Sequence, residues 1–187
     1  LNKLNIEGNK KIILMPGRLT EWKGQEIFIE ALNELKTKYG YKNFIAILLG
    51  SDQGRKIYKK KLIRLIERFR LNNEVIFLED APSMPVAYSV SNVVVSASIE
   101  PESFGRISVE AQSMKKPIVA SDIGGSRETI VDNKTGLLFR SSDHHSLSEK
   151  LDFVFRLDDT SLNVMGNNGR KNVQKKFNVE KMCFSTY

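Results

Sequence analysis

Gly17-Arg18-Leu19-Thr20-Glu21-Trp22-Lys23-Gly24 sets a guanidinium and an ammonium between two glycines, just after a short apolar run. Glycine lets backbone come close to a ligand. Arginine offers a planar fork that fits phosphate oxygens, and lysine adds a mobile point charge. The same residues also suit two surface cations flanking a helix start. The segment Ser98 to Ala111 is richer, with carboxylates at Glu100, Glu102 and Glu110 on either side of Ser103-Phe104-Gly105-Arg106. Pro101 keeps Glu100 out of a helix, so a loop carries the first carboxylates. The helix is expected to begin near Phe104 or Gly105. The amides of Phe104, Gly105 and Arg106 then lack helical partners and form an anion site, assisted by the helix dipole. Glu110 lies more than a turn further on, amid Ile107, Val109 and Met114, where a carboxylate needs a partner. The segment thus offers amides to a phosphate and carboxylates to hydroxyls, which is the chemistry a sugar nucleotide presents. A plain helix cap with exposed glutamates is the alternative.

Other loops carry less. Gly50-Ser51-Asp52-Gln53-Gly54 resembles a phosphate loop but lacks the Gly-Lys-Ser/Thr that would follow, and reads as a turn. No Gly-x-Gly-x-x-Gly is present, which argues against a dinucleotide domain of the NAD type. Gly124-Gly125 lets its loop pass close to a ligand or a neighbouring helix, or simply makes a tight turn with Ser126 as cap. No Asp-x-Asp and no His/Cys cluster suggests a metal. His144 and His145, at a helix start, read as surface residues.

Alternating strands and helices must position these loops. Apolar runs at Lys11 to Met15, Phe44 to Leu49, Val75 to Leu78, Val93 to Val95, Pro117 to Ala120 and Gly136 to Phe139 read as six buried strands. Helical spacing marks Gln25 to Lys38, Ile57 to Phe69, Met84 to Val90 after Pro82-Ser83, and Gly105 to Lys115. Further helices are expected near Arg127 to Val131, Asp143 to Phe155, Ser161 to Phe177 and Val179 to Phe184. Strands of this length between amphipathic helices mean parallel βαβ units, hence an α/β fold. The architecture is a Rossmann-like doubly wound sheet of about six strands with helices on both faces. In such a sheet ligands bind outside the carboxyl ends of the strands. The division expected is a linker over 1–10, a nucleotide-sugar-binding domain over 11–160 and a helical extension over 161–187.

With 187 residues, 41% hydrophobic, the chain can bury a core without staples. Its single cysteine, Cys183, forms no internal disulfide, so no oxidising compartment is needed. No apolar run approaches the roughly 20 residues of a membrane span. The basic N-terminus reads as a linker leading almost at once into a strand, so the chain is expected to be a piece of something longer. The formal charge of +7 fits a solubilising surface, an anionic ligand, an anionic membrane surface or nucleic acid.

Taken in order, Gly17-Arg18-Leu19, Lys23-Gly24, Glu102-Ser103-Phe104-Gly105 with Glu110-Ala111, Pro117 to Asp122, Gly124-Gly125 with Glu128, and Thr135 to Leu138 resemble the C-terminal domain of glycosyltransferase family 4. The likeness runs from about Ile12 to Leu151. It implies one half of a GT-B enzyme, in which two Rossmann-like domains face each other across the active site. Arg18 and Lys23 would hold the donor diphosphate, with Gly17 beside them. Glu102 would meet hydroxyls of the transferred sugar. Backbone at Phe104, Gly105 and Arg106 would meet sugar and distal phosphate, and Glu110 the ribose. The loop Leu78 to Pro82, with Asp80, would border the base. Lys115 stands where the family usually has glycine, at a cost of about 1 kcal/mol if the backbone there is left-handed. Glu79 likewise replaces a common glycine.

The resemblance further implies retention of configuration and no cofactor or metal, with Arg18, Lys23 and the amides stabilising a departing UDP or GDP. It implies a missing N-terminal acceptor domain, against which the helices from Ser161 would pack, leaving Phe177, Met182 and Phe184 exposed in this chain. A cytoplasmic protein is expected, with the inner membrane face as a further location because the helix Lys56 to Arg70 is strongly basic. Nucleic acid is not expected, for want of aromatic platforms or a recognition helix. A nucleotide-sugar epimerase of the same fold and a non-catalytic anion- or membrane-binding module are the competing readings.

Overall fold

The computed structural model describes residues 10–81 and 83–177. The expected linker before residue 10, Pro82, and the expected helix Val179 to Phe184 with Met182, Cys183 and Phe184 lie outside them. Six parallel strands form one sheet in the order β3-β2-β1-β4-β5-β6. They are β1 (Lys11–Pro16), β2 (Phe44–Leu49), β3 (Val75–Leu78), β4 (Val93–Ser96), β5 (Ile118–Ser121) and β6 (Leu137–Phe139). This is the doubly wound Rossmann-like sheet that the sequence implied.

Strands buried on both faces explain the unbroken apolar runs. Alternate residues of β1 serve two cores. Ile13 and Met15 pack with α1 (Gln25–Thr37), α2 (Lys56–Arg68) and α6 (His144–Arg156) through Phe28, Leu32, Leu62, Leu147 and Leu151. Ile12 and Leu14 face the other side, with Tyr88 of α3 (Met84–Val90) and Ala111 of α4 (Arg106–Ser113). Each fully buried leucine contributes roughly 1.5–3 kcal/mol. A short α5 (Ser126–Thr129) follows β5.

The helix ends follow local chemistry. Ser83, Asp143 and Asp158 each accept an amide three residues on, capping α3, α6 and α7 (Asp159–Lys176). Of the two readings of the Gly124-Gly125 loop, the one with Ser126 as cap is not met: Gly125 is the N-cap and Ser126 the first helical residue. Lys115 is left-handed, with φ 56°. Its amide donates to Gln112 O and that of Lys116 to Ala111 O, closing α4 as glycine ordinarily would.

The last helix, α7, packs against α4 within this domain. Asn172 Nδ2 donates to Gln112 Oε1 (3.1 Å) and Thr129 O (2.9 Å). Phe177, expected to be exposed, is half-buried and meets Phe104 edge to face at 5.5 Å. Among the described residues no helix is long and apolar enough to cross a membrane.

Candidate functional site

At the carboxyl ends of β1 to β4 lies a cleft of about 520 Å³, lined by Gly17, Arg18 and Lys23 on one side and Glu102, Arg106 and Glu110 on the other. The fold therefore brings the two cations and two carboxylates, up to 92 residues apart in sequence (18 to 110), onto one cavity.

The first wall is shaped by backbone. A 3-10 turn, Glu21–Lys23, carries Trp22 and Lys23 and ends at Gly24, which is left-handed at φ 74°. A Cβ on Gly24 would stand 1.9 Å from the carbonyl oxygen of Ala97, so only glycine lets the β1 loop press against the β4 loop. Ile99 N donates to Trp22 O (2.8 Å), tying the two loops again. Buried Gln25 donates to the Arg18 carbonyl at 2.9 Å and accepts from Tyr58 OH at 3.1 Å. The Arg18 side chain itself is exposed, its Nη1 3.5 Å from Gln53 Oε1.

The second wall is shaped by side-chain partners. Lys23 Nζ donates to Glu102 Oε1 at 2.8 Å, and Ser98 Oγ donates to the same oxygen. Lys23 also lies 4.2 Å from the Trp22 ring centre. One turn into α4, Glu110 Oε2 accepts from Tyr88 OH at 2.7 Å. Burial first, and then the Glu110 bond, push the Tyr88 hydroxyl well above its ordinary pKa, so it is a fixed donor at neutral pH. The partner that Glu110 requires is thus a tyrosine from another helix.

The start of α4 lies later than the sequence suggests. Gly105 is the N-cap, left-handed at φ 72°, and Arg106 and Ile107 give the first free helical amides. Phe104 precedes the cap, is 41% exposed, and its ring turns to Phe177. Neither Phe104 nor Gly105 lines the cleft. Behind this segment the β5–α5 loop is pressed close. Gly125 N donates to Glu102 O at 2.7 Å, and a Cβ there would stand 2.4 Å from the Phe104 carbonyl carbon. The paired glycines accommodate the neighbouring chain.

Asp80 and Glu79 line the cleft's far side, together with Met84. Leu78 does not reach it and packs in the second core. Glu79 pairs with Lys59 at 3.1 Å, and Asp80 accepts from the Ala81 amide. Tyr88, Ser98, Gln25 and Tyr58 were missed by sequence reasoning. The partner demanded by Glu110 was the signal that could have found Tyr88. In sum, the cleft offers cations and helix-start amides to a diphosphate, beside carboxylates held ready for hydroxyl groups.

Known proteins resemble this chain. The family described as Glycosyl transferases group 1 matches residues 1–172. A D-inositol 3-phosphate glycosyltransferase of Corynebacterium diphtheriae is 28% identical over 165 residues, covering 87% of this chain and 38% of that protein. A glycosyltransferase structure from Rickettsia africae superposes with a TM-score of 0.92 at 31% identity, over 99% of this chain and 48% of its own. HepE of Anabaena, solved in complex with UDP-glucose, gives 0.89 at 27% identity over all of this chain and 51% of that one. The chain thus spans about two fifths to a half of each of these three proteins.

Proposed function

This chain belongs to the glycosyl transferases group 1 family, and on that premise we propose that it is the donor-binding half of a retaining, metal-independent hexosyltransferase. The donor is a nucleotide diphosphate sugar, and UDP is the first choice because HepE was solved in complex with UDP-glucose. The observation that carries the reading is the convergence of Arg18, Lys23, Glu102 and Glu110 on one cleft beside the start of α4. Arg18 and Lys23 hold the diphosphate and stabilise the charge that grows as it departs. Glu102 accepts hydroxyls of the transferred sugar. Glu110, oriented by Tyr88, accepts those of the ribose.

Lys23 Nζ has further donors and Glu102 a second oxygen, so the pair can persist while phosphate and hydroxyl bind. Ser98 also donates to that carboxylate. A glycan or lipid-linked acceptor binds a preceding domain supplied by the rest of a longer enzyme, and this half alone transfers no sugar. The enzyme works in the cytoplasm. The cations of α2 give it affinity for an anionic inner membrane face.

The test is thermal unfolding with UDP-, GDP- and ADP-sugars. Ligand at about 100-fold over its dissociation constant should raise the melting temperature by about 5–10 °C. Silence from all three would overturn the reading. Sugar transfer by this chain alone would overturn its division of labour.

A further inference from the structure

Away from the cleft, α1 and α6 bring together imidazoles and carboxylates that the sugar chemistry does not use. His144 and His145 are the first two residues of α6. Both turn Nδ1 toward α1, whose Glu30 and Glu34 stand one turn apart on one face. His145 Nδ1 lies 2.7 Å from Glu34 Oε1, and His144 Nδ1 lies 3.5 Å from Glu30 Oε2. The imidazole rings are 4.0 Å apart. Ligand atoms of Glu34, His144 and His145 all fall within 4.8 Å of one another. A tetrahedral metal with bonds of about 2.0–2.1 Å holds its ligand atoms about 3.3 Å apart, a spacing within this range.

Further features suit a ligand set. Ser148 Oγ donates to Glu34 Oε2, leaving Oε1 to face the histidines. The nearby ammonium of Lys38 stays 3.9 Å off and half exposed, free to swing away.

We infer that His144, His145 and Glu34 form a three-ligand, zinc-class site that staples α6 to α1. Imidazole with carboxylate favours zinc over magnesium or calcium, which prefer oxygen alone. No residue of this set lines the sugar-nucleotide cleft, so the staple is separate from transfer.

Zinc is titrated into the chain carrying Cys183→Ser, which removes its one thiol, with calorimetry and thermal unfolding as readouts. We expect one zinc per chain and, at roughly 100-fold excess over the dissociation constant, a melting temperature higher by about 5–10 °C. Magnesium at the same concentration should give no shift. His144→Ala and His145→Ala should each weaken zinc at least about tenfold. Their metal-free melting temperatures show whether the variants fold, and His144→Gln serves if alanine does not. Absence of saturable zinc binding, or zinc binding undiminished by either histidine change, would overturn the inference.

Discussion

The two walls of the cleft reach rigidity by different routes. The β1 wall is fixed by its main chain: Gly24 lies against Ala97, and Gln25 holds the Arg18 carbonyl while the Arg18 side chain stays exposed. The β4–α4 wall is fixed at its side chains, where hydroxyls of Ser98 and Tyr88 grip the two carboxylates. Arg18 is thus left exposed on a stiff loop and Lys23 is held by Glu102, while the acids are aimed by hydroxyl donors, Glu102 from a loop and Glu110 from α4. A diphosphate tolerates mobile donors because its oxygens are many and equivalent. Hydroxyls on a ring need acceptors at set positions.

The hardest blow to this contrast is Gly24→Ala. It forces a left-handed alanine into the Ala97 carbonyl and should cost more than about 3 kcal/mol in urea unfolding. A loss below about 1 kcal/mol would mean that the β1 wall yields. Next comes Lys23→Met, which should weaken nucleotide-sugar binding about 10- to 100-fold by calorimetry, as expected for one charge-assisted contact. Unchanged affinity would leave Lys23 as a prop for Glu102 alone.

Tyr88→Phe probes the opposite wall and should cost about 1–2 kcal/mol of stability. Because the folded state raises the Tyr88 pKa, its contribution is whole below the unfolded value, about 10. It is lost as pH rises beyond that, so the variant should show a shallower alkaline decline, with the part due to buried Tyr58 remaining. The mildest change is Lys115→Gly, which relieves a left-handed lysine and should gain about 0.5–1 kcal/mol in urea midpoint with donor affinity unchanged.

Much of this was legible in sequence because the signals were local. Phe44 to Leu49 could only be a doubly buried strand, and the glycine-bracketed Arg18 and Lys23 fall on a strand end as the fold requires. The first strand's fit beside the fourth follows from doubly wound topology. What stayed hidden depends on contacts across the chain. Ser98 sits in the motif, yet its grip on Glu102 needs the loop's actual path. The contact between the Phe104 and Phe177 rings depends on α7 returning to α4. His144 and His145 are adjacent in sequence, so they point about 100° apart on a helix. That spacing gives no ligand pattern, and only the approach of α1 supplies Glu34.

The pairing of Lys23 with Glu102 also governs how a donor arrives. An ammonium already neutralised by a carboxylate contributes little field at a distance, so long-range capture of an anionic substrate falls to the exposed Arg18 and Arg106. Encounter speed, with its dependence on ionic strength, is therefore set by the arginines, while Lys23 acts after contact and lengthens residence.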